Sequence, residues 1–254
     1  MNSFPSPGPD NRPDPSTTGN AVELRNVRFS WPGSVPAILE IDHLRIPKAG
    51  RVFLFGPSGS GKSTLLSLIG GLLAPQSGTV RILENEISAL SGAARDRFRA
   101  DHIGFIFQMF NLIPYLSVVE NVCLPCGFSA RRRHRAMRNG ASVELEALRL
   151  LQRLDMGGND VLRKPVRDLS VGQQQRVAAA RALIGAPELI VADEPTSSLD
   201  ADRRGAFLDL LFQECGRERS ALIFVSHDAS IGARFDQIVS LSDINVAAGD
   251  GVAA

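Results

Sequence analysis

The run Gly56-Pro57-Ser58-Gly59-Ser60-Gly61-Lys62-Ser63 fits the spacing G-x-x-x-x-G-K-[ST] in full. Phosphates need many donors at short range, and glycines let a backbone wrap until successive N–H groups point inward. A helix opening near Lys62 adds unpaired N–H groups and the positive end of its dipole. The Lys62 ammonium can neutralise β and γ phosphates, and the Ser63 hydroxyl can ligate Mg²⁺. A second pair, Asp193 and Glu194, follows the apolar run Leu189 to Ala192. A carboxylate there can hold Mg²⁺, directly or through water, and its neighbour can take a proton from an attacking water. Asp-Glu-Pro could be no more than a polar turn, but the phosphate loop upstream argues against that. A third segment, Leu169-Ser170-Val171-Gly172-Gln173-Gln174-Gln175-Arg176, precedes the strong helix former run VAAARALIG. Ser170 with Gln173 three residues on has capping-box spacing. A well-capped helix explains those two residues, but not why the helix stands just ahead of the strand that carries Asp193 and Glu194.

Such groups need rigid elements behind them. Arg51 to Phe55 reads as a short apolar strand running into Gly56, and Lys62 to Leu72 as the helix after the loop. Ala21 to Trp31 alternates as a half-buried strand, Thr79 to Leu83 and Ile103 to Phe107 read as further strands, and Arg95 to Ala100 as helical. Gly172 to Ile184 and Asp202 to Cys215 are helices alternating with the strands Glu188 to Ala192, Ala221 to Ser226 and Gln237 to Leu241. That alternation predicts an α/β domain with a mainly parallel sheet and ligand chemistry at the carboxyl ends of its strands. The middle third differs. Asn111 to Gly140 lacks strand alternation, and Ser142 to Leu154 is an amphipathic helix, so this stretch reads as a helical insert. Its basic run, Arg131-Arg132-Arg133-His134-Arg135, suits acidic lipid or nucleic acid, but a solvated helix face is the preferred reading.

With 254 residues the chain has room for one sizeable α/β domain or two small ones. A formal net charge of +1 gives no basic field for nucleic acid. The longest apolar run, Leu65 to Ala74, is broken by Gly70 and Gly71 and falls well short of the roughly 20 residues a membrane span needs. Any role at a membrane needs a partner that crosses it. Residues 1–20, rich in Pro, Ser, Asn and Asp with no apolar core, read as a disordered tail rather than a signal peptide. The three cysteines fit a reducing compartment. Cys123 and Cys126 form C-x-x-C, but a zinc site needs four ligands and the other candidates are scattered, so plain packing is the preferred reading.

Taken together, these segments resemble the nucleotide-binding subunit of ABC transporters over Ala21 to Ser242. The resemblance implies a P-loop NTPase (RecA-like) core with a mainly parallel sheet, an N-terminal antiparallel β region and an α-helical subdomain at about 109–170, all within a domain at 21–245. It implies ATP and Mg²⁺ as ligands. Gly56, Pro57, Ser58, Gly59, Ser60, Gly61, Lys62, Ser63 and Thr64 match the Walker A loop. Trp31 in FSWPG is similar to the aromatic that stacks on adenine. Gln108 resembles the Q-loop glutamine that senses Mg²⁺, water and the transmembrane partner. Ser170, Gly172 and Gln173 resemble the signature motif, and Asp193 and Glu194 the Walker B aspartate and catalytic glutamate. Asp200 in SSLD resembles the D-loop aspartate, and His227 the switch histidine at the γ-phosphate. Ser63, Gln108 and Asp193 are thereby the expected metal contacts, and Glu194, His227 and Gln108 the expected catalytic residues.

One position departs from the family: Val171 stands where the first glycine of the signature is usual. Function is expected to survive, because Ser170 and Gly172 are retained; an impaired signature contact is the second reading. The family's arrangement implies a homodimer in which each signature helix faces the partner's γ-phosphate, with hydrolysis reopening the pair. It further implies a peripheral place on the cytoplasmic face of the inner membrane, a transmembrane permease as partner and no nucleic acid. Phe110-Asn111-Leu112-Ile113-Pro114 and Glu120-Asn121-Val122-Cys123-Leu124-Pro125 are similar to the LolD, MacB and FtsE group, which serves lipoprotein release, export from the periplasm or signalling. The short stretch after Ser242 sets the expectation of no C-terminal regulatory domain. The rival readings are a soluble ABC ATPase or a cell-envelope signalling ATPase that moves no substrate. Retention of Glu194 and His227 argues against a module that only holds ATP.

Overall fold

The structure, a computed structural model, describes residues 19–33, 37–138, 142–197 and 199–248. Most of the expected tail therefore lies outside the described residues, as does Ser198. In chain order the elements are β1 (Asn20–Phe29), β2 (Leu39–Pro47), β3 (Arg51–Phe55), α1 (Lys62–Ile69), β4 (Ser77–Ile82), β5 (Asn85–Glu86), α2 (Gly92–His102), β6 (Ile103–Ile106), α3 (Val118–Phe128), α4 (Ala130–Ala136), α5 (Val143–Arg153), α6 (Asn159–Leu162), α7 (Val171–Leu183), β7 (Leu189–Asp193), α8 (Ala201–Glu218), β8 (Ala221–Val225), β9 (Gln237–Ser240) and α9 (Leu241–Ile244). The chain forms two compact units, one built from the residues up to Asp96 and from Ala221 onward, the other from Arg97–Ser220.

In the first unit, β1 is flanked by β2 and β4 in an antiparallel sheet that β5 extends. Strand β2 was not among the expected strands, although Leu39, Ile41, Leu44 and Ile46 are all buried and alternate with polar residues for much of its length. The parallel part pairs β3 with β8 on one side and β9 on the other. Of these, β3 and β8 are mainly apolar runs, as strands covered on both faces must be. Phe224 and Phe53 each lie 5.4 Å from the Phe235 ring. Asp236 closes the start of β3, accepting from the Arg51 backbone N–H at 2.8 Å and from its guanidinium at 2.6 Å. The helix expected over Lys62 to Leu72 stops at Ile69: Gly70 caps it, and Gly71 takes φ +67, which ends the helical path.

In the second unit, β6 and β7 pair in parallel, Ile103 opposite Leu189 and Ile106 opposite Ala192. Helix α3 opens with a capping box between Ser117 and Glu120, and α5 with Ser142 accepting from the Leu145 N–H. Glu214, 2% exposed, receives Arg149 and Arg153, each at 3.1 Å, and so binds α8 to α5.

The basic run is only partly a solvated face. Arg132 on α4 is 3% exposed. Its guanidinium donates to the carbonyls of Ala182 at 2.7 Å, Ile184 at 2.8 Å and Arg181 at 3.3 Å. A helix end leaves its last carbonyls without intrahelical partners, and a buried end must find them elsewhere. Here Arg132 takes three, and the N–H groups of Ile184 and Ala186 take those of Ala180 and Leu183. Burial pulls the Arg132 guanidinium down to about 10, still charged at neutral pH. Arg131 and Arg135 turn to Glu188 at the entrance to β7. Glu188 is also met by His102 at 3.2 Å. Burial pushes its carboxyl up, but these donors and charges outweigh that and hold it at about 2. Two glycines allow the close packing around α7: a Cβ on Gly104 would lie 2.2 Å from the Ala182 oxygen, and one on Gly185 would lie 2.6 Å from Arg132 Cβ.

Arg132→Met keeps the stem and strands the carbonyls of Ala182 and Ile184. It should lower unfolding free energy by about 2 to 4 kcal/mol, read as a fall in denaturant midpoint. A loss below about 1 kcal/mol would contradict this account of the helix end.

Candidate functional site

In the first unit, Leu54 of β3 lies opposite Val225 of β8. Two residues beyond that pair stand Gly56 on one strand and His227 on the other. The Ser226 N–H reaches the Leu54 oxygen at 3.4 Å, so the two strand ends leave the sheet together. His227 is exposed at that end. The glycine loop is shaped by Gly59 at φ +79 and Gly61 at φ +98. A Cβ on Gly61 would also meet Leu39 Cδ2 at 2.8 Å. Gly61 caps α1 with no side-chain hydrogen bond, and no acidic residue stands in the first turn. That is an electropositive helix end with no anion of its own. Lys62 folds over the loop and donates to the carbonyls of Gly56 at 2.8 Å and Pro57 at 2.7 Å. The loop residues Pro57, Ser58, Gly59 and Ser63 are exposed, and Ser60 and Thr64 half-buried. Trp31, just past β1, is 43% exposed and meets Phe29 edge-on at 5.2 Å, which leaves indole surface open.

Asn245 was missed in the sequence. Buried to 3% exposure, it donates to Ile38 O at 2.9 Å and Ser60 O at 3.4 Å, and accepts from Glu40 N–H at 2.8 Å. It ties the middle of the glycine loop to β2. Only the fold reveals it, because 185 residues separate Asn245 from Ser60.

In the second unit the same strand-end logic recurs. Two residues past the pair Ile106–Ala192 stand Gln108, exposed, and Glu194. Asp193 is the last residue of β7. Glu194 adopts φ +45, a conformation that costs a residue with a Cβ and that turns the chain sharply at the strand end. The Ser197 N–H closes this turn on the Glu194 oxygen at 3.3 Å. Asp200 caps α8, accepting from the Arg203 N–H at 2.9 Å, which accounts for its residue type within a single copy.

Ser170 and Gln173 form the expected capping box at α7: Ser170 Oγ accepts from the Gln173 N–H at 3.3 Å, and Gln173 Oε1 from the Ser170 N–H at 3.0 Å. No acidic residue stands in this first turn either. Ser170 and Val171 are exposed, Val171 to 51%. Gly172 is the informative residue. Its φ is ordinary, and a Cβ there would meet only Leu199 Cδ2, at 3.8 Å. Nothing among the described residues requires a glycine there, and glycine is a poorer helix former than alanine. A cleft of about 300 Å³ opens beside it, lined by Ser170, Gly172, Gln173, Gln175, Leu199 and Arg203 among others.

The C-x-x-C pair does no visible chemistry. Cys126 is buried, and burial, with the Glu144 carboxylate second, pushes the Cys123 thiol up to about 12. Among the described residues no cluster of three His, Cys, Asp or Glu could hold a metal, and no helix is long and apolar enough to cross a membrane. A triphosphate-bound Mg²⁺ draws several of its ligands from phosphate and water, and the exposed Ser63 hydroxyl is the kind of hard oxygen donor it takes beside them.

Comparison with known proteins gives consistent results. A family profile described as ABC transporter matches residues 39–197. The lipoprotein-releasing system ATP-binding protein LolD 1 of Caulobacter vibrioides is 42% identical over 227 residues, 88% of this chain and 93% of that protein. The macrolide export ATP-binding/permease protein MacB of Rhodopseudomonas palustris is 38% identical over 228 residues; these are 89% of this chain but 33% of MacB, so the chain spans about a third of that relative. A solved structure titled as a dimeric post-hydrolysis state of the ATP-binding cassette MJ0796 bound to ADP and Pi matches with a TM-score of 0.74 and 34% identity, covering 86% of this chain and 93% of that one.

Lys62→Ala should abolish tight ATP binding in an equilibrium titration, and unchanged affinity would refute the role of the loop. Gly61→Ala, strained at φ +98 and crowded by Leu39, should weaken binding roughly tenfold or more.

Proposed function

The chain belongs to the ATP-binding family of ABC transporters, and from that premise we propose that two copies close over two nucleotides and so drive a membrane permease. Gly172 carries the dimer reading. It sits in the first turn of a 13-residue helix where the described residues of one copy show no use for a glycine. A backbone that must come close to a phosphate of a second copy does have that use. The dimeric cassette of known structure supports the same reading.

The roles then follow residue by residue. Trp31 stacks on adenine, and the N–H groups of Gly56 to Thr64 cradle the phosphates, with Lys62 as counter-charge. Ser63, Asp193 and Gln108 match the family's metal contacts and would hold Mg²⁺, which would supply charge neutralisation at the β and γ phosphates. Glu194 accepts the proton of the attacking water, its left-handed turn setting where that carboxylate points. His227 donates to the γ-phosphate. Ser170, Gly172 and Gln173 of the second copy complete the donors, with Asp200 near the dimer axis. Val171 leaves the donors on either side of it in place, because its side chain lies outward.

The similarity to LolD 1, together with that to MacB, supports a system of the lipoprotein-release or macrolide-export type, with the chain peripheral to the cytoplasmic face of the inner membrane. The permease selects what is moved.

Glu194→Gln should keep ATP binding and lower hydrolysis by about a hundredfold or more. The variant should run as a dimer with ATP and as a monomer without it in sedimentation. A normal hydrolysis rate removes Glu194 as the base, and a stable dimer without nucleotide counts against ATP as the glue.

A further inference from the structure

We propose that Arg181, in the last turn of α7, is the positioning residue that holds Gln108 in place, so that the signature helix and the Q-loop move together. This rests on the role given to Gln108 above. The loop that follows β6 is unusual in its backbone. Phe110 and Asn111 both lie in the left-handed region, at φ +58 and +48, which residues with a Cβ adopt at a cost. The Phe110 N–H folds back on Phe107 O at 2.9 Å, a turn that encloses Gln108 and Met109, and the Asn111 N–H on Met109 O at 2.6 Å, a second turn centred on Phe110. Such a turn persists only where its surroundings fix it.

Two side chains do so. Asn121, fully buried, accepts from the Ile113 N–H at 2.8 Å and donates to Ile113, Leu116 and Ser117 carbonyls, fixing the far side of the loop. Arg181 fixes the near side. Its Nη1 donates to Asn111 O at 2.6 Å and its Nη2 to Phe110 O, one guanidinium fork on two consecutive strained residues. Burial lowers the Arg181 pKa, a desolvation cost that its two carbonyl acceptors work against. The main chain behind it is held in turn: the Arg181 carbonyl is among those that Arg132 takes. One rigid path therefore runs from Ser170 along α7 to Arg181 and into the turn that carries Gln108. A purely structural role would be to satisfy two carbonyls and nothing more.

A double-mutant cycle on the ATPase activity of the full chain separates the two roles. Arg181→Met should lower kcat by about tenfold to a hundredfold. KM for ATP should change less than about threefold, because the phosphate loop is untouched. Combined with Gln108→Ala, it should cost no more than about twofold beyond Gln108→Ala alone, since both act through one group. Losses that multiply, or an Arg181→Met enzyme with normal kcat, would overturn the proposal. A Gln108→Ala enzyme with normal kcat would instead strike at the role of Gln108, and the proposal would fall with it. If Arg181→Met does not fold, Arg181→Lys keeps the charge without the fork, and its cycle with Gln108→Ala decides by the same criterion.

Discussion

A triphosphate concentrates negative charge on oxygens that only donors at hydrogen-bond distance can satisfy. Backbone N–H groups at a helix start are donors that cost no extra desolvation of a buried side chain. The first unit is organised around supplying them. Strand β3 delivers the chain to Gly56, Gly61 turns it at φ +98 into α1, and the helix opens with neither a capping side chain nor an acidic residue. The same need explains what surrounds the loop. Gly61 comes so near Leu39 that no side chain fits, and Asn245 fastens Ser60 to β2 from the far end of the chain. His227 leaves β8 in register with the loop because Leu54 and Val225 are paired.

In the second unit, one helix has two ends with opposite surroundings. At its start, α7 keeps Ser170 exposed and Gly172 half-buried beside it. At its end every carbonyl from Ala180 to Ile184 is accounted for, three of them by a single arginine. A helix buried at its C-terminus and open at its N-terminus transmits displacement rather than bending, since the packed end has no alternative partners. Gly104 and Gly185 make that end possible by letting β6 and α4 approach α7 within distances no side chain permits. Arg181 then links the helix to the turn beyond β6, where Gln108 stands.

The chemistry was more legible in the sequence than its support. The glycine loop, Asp193 and Glu194, and the capping box at Ser170 announce themselves by local spacing, and each lies where a strand end or helix start was expected. The α/β alternation was equally plain, because parallel strands buried on both faces are unbroken apolar runs. Strand β2 escaped notice although its alternation is visible. The buried arginines were hidden for a different reason. Arg132 sits in a run of charges that looks like a wetted surface, and its partners are main-chain carbonyls about 50 residues away, which carry no residue-type signal. Asn245 was invisible for the same cause, Asn121 because its partners, though near in sequence, are main-chain groups, and Gly172 became informative only once its described surroundings showed no need for it.

A crystal structure of the Glu194→Gln chain loaded with ATP and Mg²⁺ tests the central claim directly. The N–H of Gly172 and the hydroxyl of Ser170 in one copy should lie within hydrogen-bond distance of the γ-phosphate cradled by Gly56 to Ser63 of the other. Finding those two groups turned to solvent, with each γ-phosphate met by its own copy alone, would contradict it.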